Sequence, residues 1–460
     1  MKKYKFKKNF LVLVLCLMPS CGKVIQSDVP FPSKPHDDMA ISIDEAENVL
    51  LDVMNQIGNM KTKSGNVAAR TIANKYSVNL SAGTKAVSTE VPIHIFNFEN
   101  ESGFAIMSGD KRIPPLLAYT FEGNMKEGEH IDDPGLALYI SKLNAYCRNV
   151  IDTISLDVPG MDSLLNLNIV EMVNGFCPVK WFQTSPYNYY CPNLDGYPTI
   201  AGCVAVAVAQ LMCTYRYPYS YDGYDFDWEK MIDASAAVEE AMKPDPPSWF
   251  NDDSTAQHFN PQSLDTDPLQ IDTAAVLQIA RLMQLLGSEE NLDMDYGQFS
   301  SSAPLENIIT ALNNFGYSSP GISYAPVSLD ERHAVKQKVI EELKSGFYCV
   351  MAGAEVGIYD SPFIPREDSG GPSFGCHSWL VHGFMEIEQK FFLEEIHPFS
   401  LKYDYLLCNF GWCGGCDGFY LYDVFDTEEG PVFDDVDVKS HEVDYGNYSS
   451  SLSYVIGIRK

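Results

Sequence analysis

Apolar residues recur at helical intervals in the first ordered stretch of the chain. Ala46, Val49, Leu50, Val53 and Ile57 form one stripe, and Ser42 with Glu45 has the spacing of a capping box in front of it. Strand-like runs follow at residues 91–98 and 103–107, and residues 136–154 return to a helical pattern. Together these predict a small α+β unit that ends between about residues 157 and 167. A second unit begins near Ile169 and runs to the end. Within it, the Pro- and Asp-rich stretch 243–268 reads as a surface insertion. Helices are predicted at 273–286, stopping at Gly287, at 305–315, between Pro304 and Gly316, and at 329–344, near Gly346. Strands are predicted at 347–351, 378–381, 405–408, 418–421 and 453–458. Helices first and strands later make this an α+β fold instead of alternating βαβ units. No internal repeat is evident.

The length, 460 residues, suggests two or three domains. The net charge of −30 argues against a nucleic-acid partner, whose phosphates need a basic surface. The first residues change the picture more. Lys2, Lys3, Lys5, Lys7 and Lys8 precede an apolar run, 10–18, that is too short to span a bilayer as a mature helix. This is the pattern of an export signal occupying residues 1–21. The Ser20-Cys21 step also resembles a bacterial lipobox, in which Cys21 would become the lipidated mature N-terminus. Ordinary cleavage with Cys21 incidental is the other reading, since Met18 and Pro19 sit where Leu and a small residue are usual. The protein is therefore expected to be exported, either secreted or held in the cell envelope, and a lipid on Cys21 would be its one membrane attachment. The Pro/Ser/Asp-rich stretch 24–40 reads as a tether. Export permits disulfides, but twelve cysteines in so long a chain are too few for a disulfide scaffold, so each thiol needs its own reading.

Cys203 stands among small residues, in Ala201-Gly202-Cys203-Val204-Ala205. The run after it alternates Val and Ala like a strand, yet its continuation through Gln210, Leu211 and Met212 suits a buried helix. If it is a helix, Cys203 lies at its N-terminus, where the dipole and free N–H groups stabilise a thiolate. An ordinary thiol is only about 3% ionised at pH 7, so a nucleophile needs such help. From spacing alone, a buried structural cysteine is the commoner case. A thiol nucleophile also needs a histidine. Among nine histidines, His377 stands behind a Gly-containing loop at the mouth of an apolar strand, and His382, at odd spacing from it, points to the opposite sheet face. Asn409, at a strand end before Gly411 and Trp412, suits orientation of an imidazole, with Trp412 shielding the bond from water. A Gly-rich turn with a packed tryptophan explains the same residues.

Taken together, these segments resemble the streptopain family of bacterial papain-like cysteine proteases. The resemblance rests on the Ala-Gly-Cys-Val-Ala run ending in Ala209-Gln210, the Gly-x-His before an apolar strand, and Asn409-Phe410-Gly411-Trp412 leading to Asp417-Gly418-Phe419. Two more segments agree: Trp181-Phe182-Gln183-Thr184-Ser185, and Asp293-Met294-Asp295-Tyr296-Gly297. Upstream, residues 103–112 resemble the family's inhibitory prosegment. The resemblance implies a papain-like catalytic domain, a helical part plus an antiparallel sheet, over residues 166–460, preceded by a tether and inhibitory α+β prodomain over 22–165. It implies a zymogen whose prodomain acts as an intramolecular inhibitor, with protein or peptide substrates and no metal or other cofactor. Cys203 would be the nucleophile and His377 its base. Gln183 and the Cys203 N–H would stabilise the oxyanion, and Asn409, beside Trp412, would orient His377.

The chain departs from the family at Cys413, where Gly is usual, and at Phe410, where Trp is usual. Residues 355–374 and 385–404 look like long loops bordering the cleft, so substrate preference does not carry over. Trp412-Cys413-Gly414-Gly415-Cys416 superficially resembles a redox motif, which needs a helix starting at its first Cys; a turn and strand are expected here instead. A zinc site from Cys408, Cys413, Cys416 and His397 lacks a convincing second ligand pair. Two other functions remain open at this point: a surface lipoprotein with an inactive papain-like fold used for binding, and an acyl-transfer or amidase enzyme on that fold.

Overall fold

The computed structural model describes residues 39–62, 65–66, 70–80, 91–129, 131–153, 167–243, 259–265, 267–318, 322–324, 329–354, 376–393, 396–425 and 452–460. The expected export signal with Cys21, the expected tether up to residue 38, the junction at 154–166, most of the expected insertion (244–258) and the expected loop at 355–374 lie outside them. No described helix is long and apolar enough to cross a membrane.

The first helix among the described residues is α1, Ile43–Asn59. The capping box predicted for it is present: Glu45 N donates to Ser42 Oγ at 3.3 Å, and Ser42 N donates to the Glu45 carboxylate at 2.8 Å. All five residues of the predicted stripe are buried. Strands β1 (Ile72–Leu80), β2 (Val91–Phe98), β3 (Phe104–Ser108) and β4 (Leu116–Thr120) then form an antiparallel meander. Helix α2, Pro134–Thr153, follows. Asp133 caps its start by accepting from Leu136 N at 2.8 Å.

Strand β5, Leu167–Val173, leads into the C-terminal part. The run that alternates Val and Ala is helical: α3 spans Cys203–Tyr215, and its residues from Val204 to Cys213 are all buried. A helix buried on every side needs no polar stripe, which is why its sequence carries no helical period. Helices α4 (Trp228–Ala241), α5 (Thr273–Leu286) and α6 (Glu306–Asn314) accompany it, and α7 is Leu329–Lys344. The strands are β6 (Ile322–Tyr324), β7 (Cys349–Ala354), β8 (Cys376–Leu393), β9 (Ile396–Asn409), β10 (Gly418–Leu421) and β11 (Ser453–Val455). Residues 385–404, expected as a loop bordering the cleft, are instead the long β8–β9 hairpin, with Phe384–Gln389 also paired to β5.

One sheet of eleven strands joins both parts in the order β6-β11-β7-β8-β9-β10-β4-β3-β2-β1, with β5 paired to β8 off this path. The two parts meet where β10 pairs with β4, Gly418 opposite Thr120. A Cβ on Gly418 would lie 2.5 Å from the Thr120 Cα, so only glycine permits this approach. The sheet's period of two sorts its residues between two cores. Val350, Leu380 and Val455 lie in register and join the core containing α3, α4 and α5, whereas Met351, Trp379, Val381 and Tyr454 join the core containing α1 and α2. The α3 side and the α2 side of β8 are thus different environments one residue apart.

Candidate active site

Gly202, at φ +90°, turns the chain into α3. It caps the helix with no side-chain hydrogen bond, so the first N–H groups of α3 stay open toward the Cys203 side chain. The approach to Gly202 is held by the segment 293–301. Ile200 N donates to Gly297 O at 3.1 Å, and Ser301 Oγ donates to Ile200 O at 2.7 Å. That is a physical reason for the Asp293–Gly297 motif to accompany Cys203. Gln183 is buried, and its carbonyl accepts from Ala201 N at 2.8 Å, which ties it to the same turn.

Burial pushes the half-buried Cys203 thiol above its ordinary range. Hydrogen bonds from the Ser378 backbone, the Val204 and Cys203 N–H groups, and the Ser378 side chain pull in the opposite direction without prevailing. In this state Cys203 is a thiol. The expected thiolate requires a partner that is not beside it.

That partner is turned away. Ser378 contacts Cys203, and its strand neighbour His377 therefore projects from the opposite face of β8. The buried His377 ring lies 6.2 Å from the Trp379 ring, nearly parallel to it, and 6.3 Å from Phe410. Its Nε2 donates to the Phe410 carbonyl at 2.9 Å. Burial lowers its pKa to about 4, with the Phe410 bond opposing, so the ring is neutral here. The N-terminal part completes this seat. A Cβ on Gly135 would lie 2.1 Å from the Phe410 ring, and Leu138 approaches Gly353, the register partner of His377, beside Trp379. The start of α2 thus packs over the wall that holds the imidazole. His382, on the α3 side, is buried with its Nδ1 3.1 Å from the Gly175 carbonyl.

Asn409 is buried beside α3. Its Oδ1 accepts from Gln210 Nε2 at 2.9 Å and from Gly411 N at 3.0 Å, and its Nδ2 donates to Val179 O at 3.3 Å. Trp412 is half-buried and opens a series of turns in which Gly415 N donates to Trp412 O at 3.2 Å and Asp417 N to Gly414 O at 3.1 Å. These turns lead directly into β10, so no helix starts at Cys413 and the geometry of a redox motif is absent. Among the described residues, no three His, Cys, Asp or Glu side chains are grouped to hold a metal ion.

The structure thus ties Gln183 to the turn before Cys203, seats Asn409 against Gln210 two turns along α3, and sets His377 on the far side of β8. The sequence reading passed over Ser378 and Gln210 as site residues. Gln210 carried a signal, as a lone amide in a wholly apolar helix has to be hydrogen-bonded.

The model of the peptidase C10 family matches residues 181–420, and that of the Spi protease inhibitor matches residues 39–147. The chain is similar to streptopain of Streptococcus pyogenes, 24% identical over 351 residues that cover 72% of this chain and 78% of that protein. It is also similar to the thiol protease/hemagglutinin PrtT of Porphyromonas gingivalis, 28% identical over 148 residues, 30% of this chain and 17% of that one. A solved fragment of Prevotella intermedia prointerpain A matches at 17% identity and TM-score 0.49, over 83% of this chain and 99% of the fragment.

Proposed function

Because the chain belongs to the peptidase C10 family and is a cysteine protease with an inhibitor-type prosegment, we propose that it hydrolyses peptide bonds through Cys203 and His377 once its N-terminal part has been removed. The observation that carries this reading is the separation of the pair. A neutral imidazole is seated under α2, and a protonated thiol waits at the start of α3. Loss of α2 uncovers the seat and frees the ring to swing to the Cys203 side. There it takes the thiol proton, and the ion pair is stabilised by the open N–H groups of α3. The thiolate adds to the substrate carbonyl. Gln183 and the Cys203 N–H donate to the oxyanion, and the imidazolium protonates the leaving amine. Water, deprotonated by the same imidazole, then releases the acyl group from Cys203. Asn409 orients the ring, and Trp412 covers that contact.

A tether and the inhibitory prodomain together span residues 22–165, and the protease domain starts near residue 166. Residues 1–21 direct export, and Cys21 carries the lipid that anchors the protein to the cell envelope. Purified precursor, incubated and then sequenced at its fragment termini with and without a thiol-directed inhibitor, tests the enzyme and the boundary together. New N-termini near residue 166 that the inhibitor abolishes are expected; cleavage indifferent to the inhibitor overturns the assignment. Incorporation of labelled fatty acid, lost in Cys21→Ala, tests the anchor.

A further inference from the structure

Gln210 lies seven residues after Cys203, two turns along the same face of α3. It is fully buried. Its Oε1 accepts from Trp181 N at 3.1 Å, and its Nε2 donates to Asn409 Oδ1 at 2.9 Å. Gly411 lies against the same face, where a Cβ would be 2.8 Å from Val206 Cγ1 and 3.7 Å from Gln210 Nε2. The segment carrying Gln183 is therefore tied to α3 at Trp181 through Gln210, and to the turn before α3 at Gln183 through Ala201 N. The Asn409 loop is tied to the same amide.

We propose that Gln210 is a positioning residue for the reaction, fixing the Asn409 side chain through its Oδ1 and locking the Gln183 segment to the nucleophile's helix. This rests on the roles given above to Asn409 and Gln183. The chemistry of the amide makes the orientation unambiguous. Two N–H donors, from Gln210 and Gly411, converge on Asn409 Oδ1, while Val179 O takes a proton from its Nδ2. A flipped Asn409 would set N–H against N–H at two places and turn its oxygen toward the Val179 carbonyl. A packing residue at position 210 needs only volume. This one has its acceptor and its donor each committed to a different wall of the site.

The test uses Gln210→Met and Gln210→Glu, made in the full chain, matured with wild-type enzyme where self-processing is slow, and assayed after titration of competent thiols. Gln210→Met keeps the length and removes both bonds. Its kcat is expected to fall about 10- to 100-fold with KM within about threefold, by analogy with loss of other site-orienting hydrogen bonds. Gln210→Glu keeps the acceptor for Trp181 N–H and can donate to Asn409 only while protonated. Its activity is expected to approach wild type in acid and to fall away as pH rises, with the alkaline limb moved down by about a unit or more. In an Asn409→Ala background, Gln210→Met should cost little further. The proposal is overturned if Gln210→Met stays within threefold of wild type, if its loss is undiminished beside Asn409→Ala, or if the Gln210→Glu profile parallels wild type. Whichever variant folds decides it. Asn409→Ala with full activity would instead sink the reading beneath it, and the two failures are thereby distinguished.

Discussion

The His377 imidazole donates from Nε2 to the Phe410 carbonyl, 2.9 Å away, on the face of β8 opposite the one where Ser378 meets Cys203. Adjacent residues on one strand therefore serve opposite sides of the sheet, and the proposed base is held out of reach of its nucleophile. The hold has an identifiable lid, since Leu138 of α2 packs beside Gly353 and Trp379 over that wall. Leu138→Ala removes a buried side chain from the lid, a change that typically costs about 2–5 kcal/mol. The precursor is expected to process itself several-fold faster on a gel time course, while enzyme matured by the proposed cleavage near residue 166 keeps wild-type specific activity. An unchanged processing half-time would show that α2 does not hold the ring.

The two histidines of β8 separate by function. His377→Ala is expected to lower kcat/KM by about 10⁴-fold or more, as loss of a proton-shuttling base does in comparable hydrolases. His382→Ala is expected to leave peptide hydrolysis within about threefold. It should lower stability by about 1 kcal/mol, because it removes the bond that the half-buried Gly175 carbonyl now makes with Nδ1. Kinetics of matured enzyme and urea unfolding check the pair. The reverse pattern would move the base to His382.

Most elements were legible because their apolar periods are local. The α1 stripe, the 91–98 strand and the 273–286 and 329–344 helices all appear where the period put them. The opposition of His377 and His382 followed from strand alternation, although the ladder is irregular between Val381 and Gly383. What the period did not give was non-local. Nothing in residues 385–404 says that they pair with one another and with β5, and nothing near His377 says that Gly135 and Leu138 lie against its wall. The choice between strand and helix for Val204–Met212 depends on burial from all sides, which only the surrounding helices create. Asn409 stands out as a candidate by its neighbours in sequence, whereas its partner Gln210 lies 199 positions away.

Gln183 is a candidate oxyanion donor because its segment is tied to the turn before Cys203 through Ala201 N. Gln183→Ala is expected to lower kcat by about 10²–10³-fold with little change in KM, since such a donor acts on charge that develops only in the transition state. Steady-state kinetics of the matured variant decides it. A loss confined to KM would make Gln183 a substrate-binding residue instead.

The precursor carries buried groups whose titrations oppose one another. Burial raises Asp133 to about 6, against the Leu136 and Gly135 N–H groups, and Cys416 also contacts it. Nearby Asp417 is raised in the same sense by burial, with Lys180 opposing. Burial lowers His382 to about 4, against the Gly175 bond. Between pH 4 and 6 the folded chain holds a proton on Asp133 that the unfolded chain has lost, so this group's stabilisation is present in acid and disappears as pH rises through about 6. The unfolded chain holds a proton on His382 that the folded chain lacks, so that contribution is present above pH 6.5 and disappears as pH falls through about 4. Each contributes at most about 1.4 kcal/mol per pH unit, with opposite signs. In a Cys203→Ala precursor, which cannot process itself, Asp133→Asn keeps an oxygen for Leu136 N and should make the slope of stability against pH more positive across pH 4–6. His382→Gln should make that slope more negative, and the double variant should return close to the parent. Urea unfolding at four pH values measures all three. A slope unmoved by Asp133→Asn would show that this carboxyl titrates in the folded precursor as it does in the unfolded chain.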